Sequence, residues 1–300
     1  MSWLTLAILS RFFWAGTNFI DQSLSRMHAE QSLFAPIALL WIACIPIALA
    51  AYIFSGGAPW TPQMLVYSGG AVFAACCGLL PYLYVLRNEQ AENVVPYLEM
   101  TPVFVVLLSV VLKEQYLSSL QTCGAALVVV SSFLFSWDFQ NSRFKLKSFI
   151  LLMIAAAFFA IYMFCNAEAQ NYGSVWSVAS AFFSIEICLG ILLIACSAKI
   201  RRGVLSVFEA TRGRSFGVAL GTNVLELAAF ASIVSAFGKA PTYGHVAALS
   251  GVQSVFCFIF AAALGKIFPA KYQPARLNKY LAIKLTLVLM ICVGVYLLAR

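Results

Sequence analysis

The sequence is short of charge. Only 10% of its 300 residues are charged and 62% are hydrophobic, whereas a soluble domain carries about 25% charged residues. That is too little polar surface to cover a globule in water, so lipid is the expected solvent for much of the exterior. Histidine is scarce: His28 and His245 lie far apart. The nine cysteines form no C-x-x-C pair. Together these argue against a metal centre and read the cysteines as small apolar packing residues. No cofactor is expected. G-x-x-x-x-G-K-[ST], H-E-x-x-H, G-x-S-x-G and paired intramembrane aspartates are all missing, which argues against P-loop ATP hydrolysis and against a membrane-embedded enzyme. Met1-Ser2-Trp3 opens without a basic stretch, so the first apolar run reads as a retained span.

What is present is apolar length. A spanning helix needs roughly 20 mainly apolar residues. Ten runs meet this: 3–22, 33–54, 65–87, 91–112, 118–137, 147–168, 174–197, 214–237, 241–265 and 279–298. The expected fold is an all-α, multi-pass integral membrane protein with ten transmembrane helices and almost no chain left for a soluble domain. The longest connections, 198–213 and 266–278, are basic, and 198–213 has the makings of a short surface helix.

The net charge of +8 points to topology, not to nucleic acid, because the basic residues sit in short clusters between apolar runs. Most fall in or beside the odd-numbered connections. The even ones and the termini hold only Lys113, Lys239 and Arg300. By the positive-inside rule the odd connections are cytoplasmic and both termini face outward.

Asp138-Phe139-Gln140-Asn141-Ser142-Arg143 divides the chain, five runs on each side. At an offset of about 152 residues Val94 meets Val246 and Val103-Phe104 meets Val255-Phe256, the weak but ordered likeness of an internal repeat. Residues 1–137 and 147–300 are the expected copies, with 138–146 as linker. Five is odd, so the second copy inserts upside down. Inverted repeats around a midplane site are a recurrent transporter design.

Phe13-Trp14-Ala15-Gly16-Thr17-Asn18-Phe19 resembles the first-span signature of EamA-type domains. Val94-Val95-Pro96, Thr101-Pro102-Val103-Phe104 and the closing Lys113-Glu114-Gln115-Tyr116-Leu117 resemble their fourth span, and Gln121 to Val129 their fifth. The chain thus resembles the EamA-like branch of the drug/metabolite transporter superfamily over nearly its whole length. Lys113 stands in place of the usual glycine, Lys266 in place of the second copy's glutamate, and the first-span signature is not repeated clearly in the sixth. The resemblance implies a secondary transporter, an exporter or permease for a small metabolite, in a bacterial inner membrane. It also implies a structural role for Glu114 at a helix junction. Members are usually drawn with both termini in the cytoplasm, opposite to the charge pattern above.

Candidate site residues follow from polarity at hydrocarbon depth. A charged side chain facing lipid at the bilayer centre costs roughly 2.5–3.5 kcal/mol on insertion scales, so Glu99, Glu186 and Glu226 are expected to face the interior. Arg11, Trp14, Asn18 and Asp21 share one face of the first span. That face is a cavity wall or a hydrogen-bonded helix seam. Tyr97 lies beside Glu99 in the fourth span, which Pro96 and Pro102 interrupt. Tyr162 and Asn166, Asn223 and Glu226, and Ser250 and Gln253 pair at helical spacing. The expected substrate-binding set is Arg11, Trp14, Asn18, Tyr82, Tyr97, Glu99, Tyr162, Asn166, Asn223, Glu226 and Gln253. Tyr and Trp rings there would suit an amphipathic or cationic solute. The expected partners are a small metabolite, the bilayer and protons as coupling ion, with no nucleic acid. The protein is expected as a monomer or homodimer. A non-transporting sensor or scaffold shares every compositional feature and is the alternative.

Overall fold

The computed structural model describes residues 1–27, 32–113, 118–135, 137–138, 143–240, 246, 249–267 and 279–298. Glu114 lies outside them. In chain order the helices are α1 (Trp3–Met27), α2 (Phe34–Ile42), α3 (Ile45–Phe54), α4 (Pro62–Leu86), α5 (Ala91–Leu98), α6 (Thr101–Lys113) and α7 (Ser119–Phe135). A two-residue hairpin, β1 (Trp137–Asp138) and β2 (Arg143–Phe144), follows. Then come α8 (Leu146–Ala169), α9 (Val175–Cys196), α10 (Ala198–Ala210), α11 (Arg214–Phe237), α12 (Gly251–Ile267) and α13 (Lys279–Leu298). Apart from the hairpin the described fold is all-helical.

Each predicted apolar run overlaps a helix or a pair of helices; residues 241–245 and 247–248 of the ninth lie outside the described residues. By length and composition, α4, the stretch Ala91–Leu112, α8 with its short 3-10 extension, α9 and α11 can each cross a membrane. The α2–α3 pair adds a sixth candidate, bent by 40°. α7, α12 and Ala282–Leu297 are apolar but shorter, and α1, with Arg11, Asn18 and Asp21, is more polar.

Proline explains both breaks. Pro46 enters α3 at its second residue, and its ring opposes the carbonyl four residues back, that of Ile42, where α2 ends. Pro102 holds the same position in α6 and opposes Leu98, where α5 ends. The second break leaves Glu99 at a helix terminus in the protein interior. Helices α4 and α9 start on side-chain caps: Thr61 Oγ1 accepts from the Met64 amide and Ser174 Oγ from the Ser177 amide, each at 3.2 Å.

Four seams hold the bundle: α1 on α11, α4 on α8, α7 on α13, and α2–α3 on α9. A glycine sits in each. A Cβ on Gly78 would stand 2.9 Å from the Phe159 ring, one on Gly190 2.9 Å from Trp41 Cβ, one on Gly294 2.8 Å from Val128 Cγ2, and one on Gly16 3.3 Å from Leu225 Cδ1. In lipid, helices gain little from apolar burial alone, so close backbone approach through small residues supplies the packing. Large apolar side chains such as Leu49, Ile53, Val66, Phe73, Val111 and Leu289 stay on the outside, as expected where the solvent is lipid.

One end of the bundle carries a polar layer across the midpoint of the chain. Lys145 Nζ sits 2.8 Å from Glu89 Oε1. The Glu89 carbonyl accepts from Gln22 Nε2 at 2.8 Å and Arg26 Nη2 at 3.3 Å. Ser25 Oγ donates to the Leu83 carbonyl at 3.0 Å.

Candidate functional site

A cavity of about 190 Å³ lies inside the bundle, walled by α1, α2, α4, α5, α8, α9, α11 and the starts of α6 and α12. Helix α1 supplies its most polar wall. Arg11, Trp14, Asn18 and Asp21 follow one another at three- and four-residue spacing and, with Thr17, all line the space. Gly16, on the opposite face, packs on α11.

Nine of the eleven predicted residues come together here: Arg11, Trp14, Asn18, Tyr82, Glu99, Tyr162, Asn223, Glu226 and Gln253. Trp14 Nε1 donates to Glu226 Oε2 at 2.8 Å, and Tyr162 OH donates to Oε1 at 3.5 Å. Tyr82 OH donates to Asn18 Oδ1 at 2.6 Å. Asn223 Nδ2 donates 2.7 Å to the carbonyl of Leu40 in the broken α2–α3 span. Glu99, 2% exposed at the other break, accepts from Ser254 Oγ at 2.9 Å. The Arg11 guanidinium, 4% exposed, lies 5.0 Å from the centre of the Trp14 ring, a cation–π contact.

Tyr97 and Asn166 are buried but outside the lining. Tyr97 turns away from Glu99 toward α7, its ring edge-on to Phe135 and its hydroxyl 3.4 Å from the Phe135 carbonyl. Asn166 Nδ2 donates to the Tyr162 carbonyl one turn back on its own helix.

The wall also holds residues outside the predicted set. Asp21 and Glu186 bring its carboxylates to four, with Glu99 and Glu226. Cys44 Sγ lies 3.5 Å from Glu186 Oε2. Trp41, Phe159 and Phe182 form apolar walls. The sequence signal for Asp21 was its place on the polar face of α1, and for Glu186 its charge at hydrocarbon depth; the three rings carried no signal that separates a cavity wall from a packed core.

Several buried polar atoms remain unsatisfied. Arg11 Nε and Nη2, Asp21 Oδ1 and Glu99 Oε2 have no hydrogen-bond partner among the described residues. A buried polar atom left unpaired costs on the order of 1–3 kcal/mol, and Arg11, Asp21 and Glu99 all line the cavity, where water or a solute can meet them. Among the described residues no group of three or more His, Cys, Asp or Glu is placed to hold a metal ion.

The model of the EamA-like transporter family matches residues 1–137. Residues 1–137 belong to the EamA-like transporter family. Membership of this segment implies a multi-pass integral membrane protein and a transporter of the drug/metabolite type, in a family typically not enzymatic and acting on small molecules. No curated protein matches the chain. Sixteen chains of solved structures do. One, described as "Crystal structure of protein", is 17% identical, covers 99% of this chain and 96% of its own, and superposes with a TM-score of 0.57. That likeness speaks for the fold alone.

Proposed function

We propose that the protein is a secondary transporter that moves a small metabolite by alternating access, as an exporter or permease of a bacterial inner membrane. Residues 1–137 and 147–300 form two inverted five-helix repeats joined by 138–146, ten crossings in all, with the substrate site between them. One observation carries the reading: a cavity inside the bundle, among helices long and apolar enough to span a bilayer, gathers four carboxylates and a guanidinium from both halves of the chain. Cost alone would remove these groups from a passive scaffold.

The packing supports the repeat. Numbering the predicted spans in order, the first of one half packs on the third of the other, as α1 on α11, and the third on the first, as α4 on α8. Second meets second, as α2–α3 on α9, and fifth meets fifth, as α7 on α13. Exchanging the halves leaves this pattern unchanged, as a pseudo-twofold axis requires.

Glu226 is the proposed proton carrier. It accepts from Trp14 of the first half and Tyr162 of the second, so its protonation state bears on the contact between halves. Coupling is tested in proteoliposomes, with a substrate found by thermal-shift screening of metabolites against the purified protein. Wild type shows saturable flux that depends on pH. Glu226→Gln, which keeps the shape but cannot titrate, loses that dependence. Absence of flux across a broad solute panel would overturn the transport reading, and pH-dependent flux retained in Glu226→Gln would overturn the role of this carboxylate.

A further inference from the structure

Helix α10 joins α9 to α11, both long and apolar enough to span, so it lies at the membrane surface where one span leaves and the next returns. Its sides divide into three sectors. Ile200, Gly203, Val204 and Val207 are buried and face the bundle, with Ile200 and Val204 packed in a cluster with Leu24, Leu39 and Leu40. About a third of a turn round, Leu205 and Phe208 are exposed at 51% and 43%, with exposed Arg201 between them in angle. The remaining sector holds Lys199, Arg202 and Glu209, all exposed. A soluble surface helix needs two sectors, core and water. The third, uncovered and apolar apart from Arg201, fits the acyl boundary of a bilayer, with the long Arg201 side chain able to reach headgroup depth.

The charges specify which lipid. Lys199, Arg201 and Arg202 crowd the start of the helix, and the first turn holds no acidic residue. This opposes the positive end of the helix dipole and sets like charges three residues apart. Anions beside these side chains relieve both. The far end is fixed independently by a six-to-one closure: Gly213 N–H donates to the Phe208 carbonyl at 2.8 Å, with Arg212 and Gly213 at positive φ. The turn adds exposed Arg212 and Arg214.

We propose that α10 is a docking site for anionic phospholipid, with Leu205 and Phe208 in the acyl boundary and Arg201, flanked by Lys199 and Arg202, on headgroup phosphates. The basic connections are the ones that the positive-inside rule assigns to the cytoplasm, where the leaflet carries the negative surface potential.

The test is native mass spectrometry of the purified full-length protein titrated with phosphatidylglycerol or phosphatidylcholine. Phosphatidylglycerol binds wild type in preference. The triple variant Lys199→Gln/Arg201→Gln/Arg202→Gln weakens that binding roughly a hundredfold, a factor of about five per cation. Lys239→Gln, in the α11–α12 connection, does not. Unchanged melting of the triple variant in phosphatidylcholine vesicles shows that it is folded. Equal binding of phosphatidylglycerol by wild type and the triple variant would overturn the proposal, as would inorganic phosphate competing as well as the lipid.

Discussion

At the scale of single residues, Trp14 is the side chain with most to lose. It donates to Glu226 and stacks beneath Arg11, so it serves an acceptor and a cation at once. Trp14→Phe keeps the ring and removes the donor. A hydrogen bond to a charged group contributes about 1.5–3 kcal/mol, and a fall of that order in stability, read by thermal unfolding in detergent, is the expected outcome. Unchanged stability would mean that Glu226 finds a new partner. Arg212 offers a change of opposite sign: it holds φ +50°, so Arg212→Gly should stabilise by roughly 0.5–1 kcal/mol in the same assay. Much of the cavity's polar wall was legible in the sequence, because Asn18, Glu99 and Glu226 have no inexpensive place against lipid. Tyr97 and Asn166 show the limit of that logic. Both are polar and buried, yet each donates to a backbone carbonyl near by, and helical spacing alone does not say which way a tyrosine at a break turns.

At the scale of elements, the apolar runs marked the helices, since length and hydropathy are what a bilayer selects. The break at Ala43–Cys44 was not legible: 33–54 reads as one run, and Pro46 stands in it unaccompanied by polarity. The break near Glu99 was, because Pro96 and Pro102 flank a charge. Where helices meet, Gly190 carries the α2–α9 seam beside Trp41, a cavity residue. Gly190→Leu should cost about 1–3 kcal/mol through overpacking and push Trp41 inward. The measurement is a lowered melting temperature together with weaker substrate-induced stabilisation; a variant as stable as wild type would show that the seam has room.

At the scale of the whole molecule, the distribution of Lys and Arg predicts orientation. Alkaline phosphatase fused after Arg300 should be active, which places that end outside the cytoplasm. A fluorescent C-terminal green fluorescent protein with an inactive phosphatase would reverse the assignment and move α10 to the other leaflet. The order of the helices was legible through the order of apolar runs, whereas their packing partners were not, since sequence carries no record of which helices lie side by side.

The glycines at the four seams bear on how such a molecule could change shape. Where a glycine face receives Phe159, Trp41, Val128 or Leu225 with no space left for even a methyl group, the two helices have little slack to slide, so those pairs travel as single bodies. Any rearrangement must be taken up at the helix breaks bordering the central hollow, and a solute resting there would feel every step.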